Sequence, residues 1–164
     1  MKRETYLHLY GFLAERPVLT KTVDTVGRAV TLLIYAFYPV FLLILFWQKQ
    51  TGWLKFFWVP FISFVAVSVF RHLLNAPRPY ETFGRTPPIA KKTAGHSFPS
   101  RHTFSIFVIG FCTLPFCLPL GAVIVGLGIL LAASRVLLGF HFLRDVLAGF
   151  VCAAAAYLVG FVLM

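Results

Sequence analysis

The sequence predicts an all-α, polytopic transmembrane bundle of about five spanning helices, preceded by an amphipathic helix lying in the interface. Three observations carry this. Hydrophobic residues make up 59% of the 164 positions and charged residues only 12%, about half the charged share of a soluble domain. A soluble domain of this size could not hide its large apolar side chains, 19 Phe among them. Five apolar stretches approach the ~20 residues that a membrane span requires. The length suits a single domain, residues 1–164, and the high hydrophobicity excludes intrinsic disorder.

The elements follow in chain order. In the N-terminal region, residues 1–27, Tyr6, Leu9, Tyr10 and Leu13 recur at i, i+3, i+4, i+7, with polarity from His8, Glu15 and Arg16. That pattern predicts a short helix lying on the membrane. No short apolar core is followed by a small-residue cleavage site, so a secretory signal peptide is not expected. Pro17 opens a second helical stretch, whose Leu19, Val23, Val26 and Val30 share a face running into the first span. The spans are predicted at Ala29–Trp47, Trp53–Leu74, Thr103–Phe116, Leu120–Leu138 and Val146–Met164. Pro39 should kink the first. The third is short and is expected to begin inside a polar motif. Pro115 and Pro119 bracket a tight turn before the fourth.

A formal charge of +10 raises nucleic acid as a partner, but nucleic-acid binders carry their charge on a soluble frame. Here the basic residues sit between apolar blocks, which points to lipid headgroups or anionic small molecules. Cys112, Cys117 and Cys152 lie in apolar runs without metal-ligand spacing and read as buried, inert thiols.

The remaining polar sequence is concentrated in the 27-residue connection Asn75–Arg101 and the short connection Gly139–Asp145. Alternate crossings place both on the side of the N-terminus. Three clusters stand out there: Arg71…Arg78-Pro79, Pro99-Ser100-Arg101-His102, and Ser134-Arg135…His141…Asp145. Ionisable groups at the ends of spans are costly and face the bundle interior or a wet cavity. His141 and Asp145, four apart, share a helical face, so the carboxylate is able to fix the tautomer and leave the other ring nitrogen to attack. A helix cap is the competing role for Asp145. Arg71, Arg78 and Arg135 suit a phosphate because guanidinium forks pair bidentately with it; snorkelling to headgroups is the alternative. Ser100, Arg101 and His102 open a helix whose N–H groups and dipole make a phosphate seat, although Ser97 or Ser100 could be an ordinary cap.

Other residues have plainer readings. His8 and His72 are expected at the interface or in packing. His96 is read as loop decoration with a possible assisting role, and Lys91 and Lys92 as a solvated, lipid-attracted loop. Glu4, Glu15, Asp24 and Glu81 lie outside the clusters. Asp145 is then the lone carboxylate, too few for a metal site of the two-ion kind. No Gly-rich nucleotide loop is present. No metal and no cofactor are therefore expected.

With these residues in place, the chain resembles the type 2 phosphatidic acid phosphatase superfamily, which includes vanadium haloperoxidases and bacterial acid phosphatases. The family signature is Lys-x6-Arg-Pro, Pro-Ser-Gly-His and Ser-Arg-x5-His-x3-Asp. This sequence has Arg71-x6-Arg78-Pro79, Pro99-Ser100-Arg101-His102 and Ser134-Arg135-x5-His141-x3-Asp145, in that order over residues 71–145. Arg71 replaces the family Lys, which keeps the charge. Arg101 replaces a Gly, and an ordinary helical backbone is expected there, with the side chain aimed at the substrate. The resemblance implies that His141 forms a phosphohistidine with Asp145 orienting its ring, and that His102 serves as acid and then base. Arg71, Arg78, Ser100, Arg101 and Arg135 would hold the phosphoryl oxygens.

The membrane setting implies a lipid phosphate or diphosphate substrate. Small chains of this family with a short N-terminal helix are similar to bacterial undecaprenyl-diphosphate phosphatases. Phosphatidate or phosphatidylglycerophosphate is an alternative, as is a non-catalytic lipid-binding or flipping protein. Of the 15 Lys and Arg, only Lys49 and Lys55 fall on the side opposite the motifs, leaving 13 against 2, or 8 against 2 without Arg71, Arg78, Arg101, Arg135 and Arg144. The positive-inside rule then places the motifs in the cytoplasm, whereas the family precedent places them outside. Anion-binding arginines contaminate the count, so an extracytoplasmic site in the cell membrane is expected. The oligomeric state is not legible.

Overall fold

A computed structural model describes residues 3–90 and 93–163. Lys91, Lys92 and the last residue of the fifth predicted span, Met164, lie outside the described residues. The described chain is all-helical: α1 (Arg3–Ala14), α2 (Pro17–Trp47), α3 (Trp53–Leu74), a single turn α4 (Pro79–Thr82), α5 (Arg101–Thr113), α6 (Leu118–Leu137) and α7 (Leu143–Tyr157), which continues as a π-helical stretch, Leu158–Leu163.

Four of these helices, starting at Pro17, Trp53, Leu118 and Leu143, are long and apolar enough to cross a membrane. Their outer faces carry exposed Leu32, Leu43, Ile62, Val123, Ile129 and Val151, an apolar surface that only lipid covers at this extent. This is a membrane protein. The third expected span, Thr103–Phe116, differs. α5 has 13 residues, about 20 Å of helix against the ~30 Å of a hydrocarbon core. It is the bundle's central helix, packed chiefly against α6 and α7, with Phe104, Ile106, Phe107, Val108, Ile109 and Cys112 buried. It starts two residues before the predicted boundary, because Arg101 and His102 lower the local hydropathy while still forming its first turn.

α2 unites the two helical stretches expected before residue 47. At 31 residues it is about 47 Å long and overshoots the apolar slab. It runs through Pro39 without interruption. α1 buries its apolar stripe against protein: Tyr6 and Leu13 are buried, the Tyr6 ring lies 4.8 Å from that of Phe83, and the Tyr10 hydroxyl donates to the Thr86 carbonyl. The helix therefore lids the polar connection. Of the three cysteines only Cys112 is buried; Cys117 and Cys152 are half-buried, a correction to the expectation for all three.

Two glycines fix the polar end. Gly139 follows α6 with φ +69°; its N–H and that of Phe140 bond the carbonyls of Val136 and Arg135, which closes the helix and turns the chain toward His141. Gly149 of α7 lies against α5, where a Cβ would meet the Ser100 carbonyl oxygen at 2.7 Å. Only glycine lets the two helices approach this closely, and that approach puts Asp145 beside the start of α5.

Candidate active site

The polar ends of α3, α5, α6 and α7 meet with the Asn75–Arg101 connection. α3 ends at Asn75, whose backbone is left-handed (φ +41°). Its last turn delivers Arg71, 6% exposed, with Nη1 donating to the Pro99 carbonyl at 2.8 Å. Arg78, 5% exposed, stands at the start of α4, where Pro79 fits the first helical position. Its Nε donates to the Gly95 carbonyl at 2.9 Å and its Nη1 to that of Phe140 at 3.4 Å. The Glu81 carboxylate accepts from the backbone N–H of Arg78 at 2.8 Å and of Gly95 at 2.9 Å. Glu81, set aside in the sequence reading, therefore ties together the two strands of the loop that hold Arg78.

Arg71, Arg78 and Arg101 line one pocket of about 260 Å³ together with Ser68, His72, Thr93, Ala94 and His96. The backbone of Arg101 is helical, as expected from its place in the motif. Ser100 is fully buried; its N–H donates to the Asp145 carbonyl at 2.9 Å and its Oγ accepts from Thr103 Oγ1 at 3.0 Å. Ser100 makes no side-chain cap bond to α5.

His141 and Asp145 are both buried. His141 Nδ1 lies 3.6 Å from Asp145 Oδ2, beyond hydrogen-bond reach. The gap is filled by Ser97, which is fully buried. Its Oγ donates to Oδ2 at 2.5 Å and sits 3.4 Å from His141 Nδ1. The same Oδ2 accepts from the Phe142 N–H at 3.0 Å. Asp145 is therefore both the helix cap and the partner of the imidazole, two roles the sequence presented as alternatives. Ser97, named there only as a cap, is the residue that reasoning missed; its partners are 44 and 48 positions away and no local spacing rule connects them.

Burial, reinforced by Arg78 and Arg71, lowers the pKa of His141 to about 4, although Asp145 works in the opposite direction. The imidazole is therefore neutral at physiological pH. If it is the nucleophile, the acid limb of kcat/KM that belongs to it falls near pH 4 rather than near the ordinary 6.5. The same shift makes stability fall between pH 6.5 and 4, where the unfolded chain takes up a proton that the native state refuses, and level off below. Thermal unfolding in detergent against pH tests this independently of turnover.

Two predicted site residues face elsewhere. His102 lines a small cleft with Thr31, Ile34, Tyr35, Ser105, Ile106 and Leu131, on the α2 side of the first turn of α5. Arg135 is buried, with Nη2 donating to the Gly27 carbonyl of α2 at 3.2 Å and its guanidinium 5.9 Å from the Phe140 ring centre. Asp24, almost a full turn earlier on α2, pairs with Arg28 at 2.6 Å. Arg71, Arg78 and Arg101 thus share a pocket, and the first two bear on the buried His141, whose neighbours are Ser97 and Asp145, while His102 and Arg135 lie on the α2 side of α5.

Comparison with known proteins agrees with this architecture. The crystal structure of Aquifex aeolicus LpxE has a TM-score of 0.73 at 21% identity, over 96% of this chain and 92% of that one. The PAP2-type phosphatidylglycerolphosphate phosphatase from Bacillus subtilis has a TM-score of 0.56 at 18% identity, over 97% and 94%. At these identities the likeness concerns the fold. No match is found among the curated proteins. The PAP2 superfamily model matches residues 52–164, a stretch that contains every motif residue described above, and the chain belongs to that superfamily.

Proposed function

We propose that this protein is a membrane lipid phosphatase that cleaves a phosphate or diphosphate headgroup through a phosphohistidine. The observation that carries the reading is the neutral, buried His141, next to Ser97 and Asp145 and within the field of Arg78 and Arg71, two of the three arginines that line a pocket at the polar end of a lipid-facing bundle. Mere anion binding needs the arginines but not an imidazole with a fixed tautomer, which disfavours a binding or flipping protein without turnover.

In this mechanism Nδ1 of His141 keeps its proton toward Ser97 and Asp145, and Nε2 attacks phosphorus. The bond from phosphorus to the leaving oxygen breaks, and that oxygen takes a proton from His102. Water, deprotonated by His102, then attacks the phosphohistidine, and the P–N bond breaks to release phosphate. Arg71, Arg78 and the N-terminus of α5 stabilise charge on the transferred phosphoryl oxygens, while the exposed Arg101 faces the rest of the headgroup. His102 and Arg135 lie on the α2 side of α5, so the mechanism requires both side chains to turn toward the phosphoryl group when substrate binds. Among the described residues no three His, Cys, Asp or Glu side chains are grouped to hold a metal, and we propose that none is used.

The substrate we favour is undecaprenyl diphosphate, converted to the monophosphate for reuse in cell-wall synthesis, because Arg101 adds a third cation to the pocket. A phosphatidylglycerophosphate reading draws on the Bacillus subtilis neighbour, a phosphatidylglycerolphosphate phosphatase, and phosphatidate is tested beside it. Phosphate release by the purified protein in detergent with EDTA, across these lipids, tests all of it. Undecaprenyl diphosphate should be turned over fastest and EDTA should change nothing. Absence of release from every lipid would refute the enzyme, and loss in EDTA would refute the metal-free site.

We place the site outside the cytoplasm. A reporter fused after Met164 should then report a cytoplasmic C-terminus, because α7 leads away from the site; an external C-terminus would reverse the assignment.

A further inference from the structure

The pocket is graded from inside to outside. Arg71 and Arg78, at its inner end, are 6% and 5% exposed and are the cations that bear on His141. Arg101 and His72 are exposed and His96 is half-buried, so these three form the mouth. The mouth has three features that packing alone leaves without a purpose. The imidazoles of His72 and His96 stack with centroids 5.1 Å apart and planes 12° from parallel, and both line the pocket. Ser68, one turn before His72 on α3, lines the same pocket, and its buried Oγ has no hydrogen-bond partner. His96 is held in the left-handed region at φ +51°, its N–H on Asn75 Oδ1 at 3.2 Å and its Nδ1 3.4 Å from the Arg71 carbonyl. A bulky residue kept in that conformation is a cost the surroundings must sustain, and such positions concentrate where a ligand is met.

We propose that Arg101, His72, His96 and the Ser68 hydroxyl form a second anion seat at the mouth of the pocket, which takes the inner, non-transferred phosphate of a diphosphate lipid. The proposal rests on the phosphatase reading for its order of events: the terminal phosphoryl group sits inside against Arg71, Arg78 and His141, and the phosphate that departs with the lipid sits outside. The seat holds that leaving phosphate as its charge grows. A monophosphate fills only the inner part and leaves the mouth idle. The pair His72 and His96 is therefore specificity-determining, selecting diphosphate over monophosphate headgroups.

The test compares a polyprenyl diphosphate with the monophosphate of the same tail, using the full chain in detergent. His72→Phe keeps the ring stack and removes its polar edge, and His96→Asn keeps a residue that tolerates positive φ. Each should lower kcat/KM for the diphosphate by about 10–100-fold, the cost of a lost hydrogen bond to a charged group, with a decline at least about tenfold smaller for the monophosphate. Equal declines on both lipids, or none on either, would overturn the proposal. A second arm measures binding of inorganic diphosphate and orthophosphate by calorimetry. The wild type should prefer diphosphate, and both variants should lose that preference. No preference in the wild type overturns the seat even if lipids are hydrolysed. A preference kept alongside complete absence of hydrolysis overturns the phosphatase reading and leaves the seat standing.

Discussion

His141→Ala is expected to lower kcat by about three orders of magnitude or more, since it removes the proposed nucleophile. The ring is 2% exposed, and deleting it leaves a cavity beside a buried carboxylate, so the alanine variant also loses stability. His141→Gln separates the two effects: it keeps a polar side chain of similar reach near Ser97 and Asp145, and it should fold normally while turning over as poorly as the alanine variant. Radiolabelled phosphate from a labelled substrate should remain covalently attached to quenched wild type and be absent from both variants. Combined with Asp145→Asn, His141→Ala should lose almost nothing further, because residues that act through one imidazole are not additive. Near-normal turnover of His141→Gln would end the assignment.

The helices were legible where physics is local. α3 spans Trp53–Leu74 as predicted because Gly52 and Asn75, both in the left-handed region, stop the helix on either side of an uninterrupted apolar run. α7 begins three residues before its predicted start, at Leu143, since Asp145 interrupts hydropathy yet stabilises the first turn from within. The stripe on α1 was readable as an amphipathic face, but its partner, Phe83 and the loop to Thr86, comes from a segment 76 positions away from Tyr10 that periodicity does not reveal. The site follows the same division. The motif spacing brought Arg71, Arg78, Arg101, His141 and Asp145 to one end of the bundle, because each span is a rigid rod of known rise. Rise and spacing give the end of a rod but not which neighbour its terminal side chain chooses. Arg135 takes the Gly27 carbonyl on α2, and the stacking of His72 on His96 depends on a loop whose path Glu81 and Asn75 set by bonds to backbone.

Asp145→Asn should lower kcat by about 10³–10⁴-fold with little change in KM, the scale seen when a buried carboxylate that sets a histidine tautomer becomes an amide. Oδ2 accepts from Ser97 and Phe142 and faces His141 Nδ1, while Oδ1 lies 3.6 Å from Arg144 Nε. An amide has one acceptor and one donor end. Placing its NH2 at Oδ2 sets donor against two donors, and placing it at Oδ1 directs it at a guanidinium; either way the negative charge that supports a developing imidazolium is gone. Ser97→Ala keeps that charge and removes one hydrogen bond, so a smaller loss of about 10–100-fold is expected, partly restored by Ser97→Thr. The pH profile distinguishes positioning from damage. Asp145 raises the pKa of His141 against burial and the two arginines, so its neutralisation moves the acid limb below the wild-type value of about 4. A distorted site would lose rate without moving the limb. Retention of kcat within tenfold in Asp145→Asn would mean that the carboxylate serves the helix end alone, and would leave the Ser97 hydroxyl as the group that orients the imidazole.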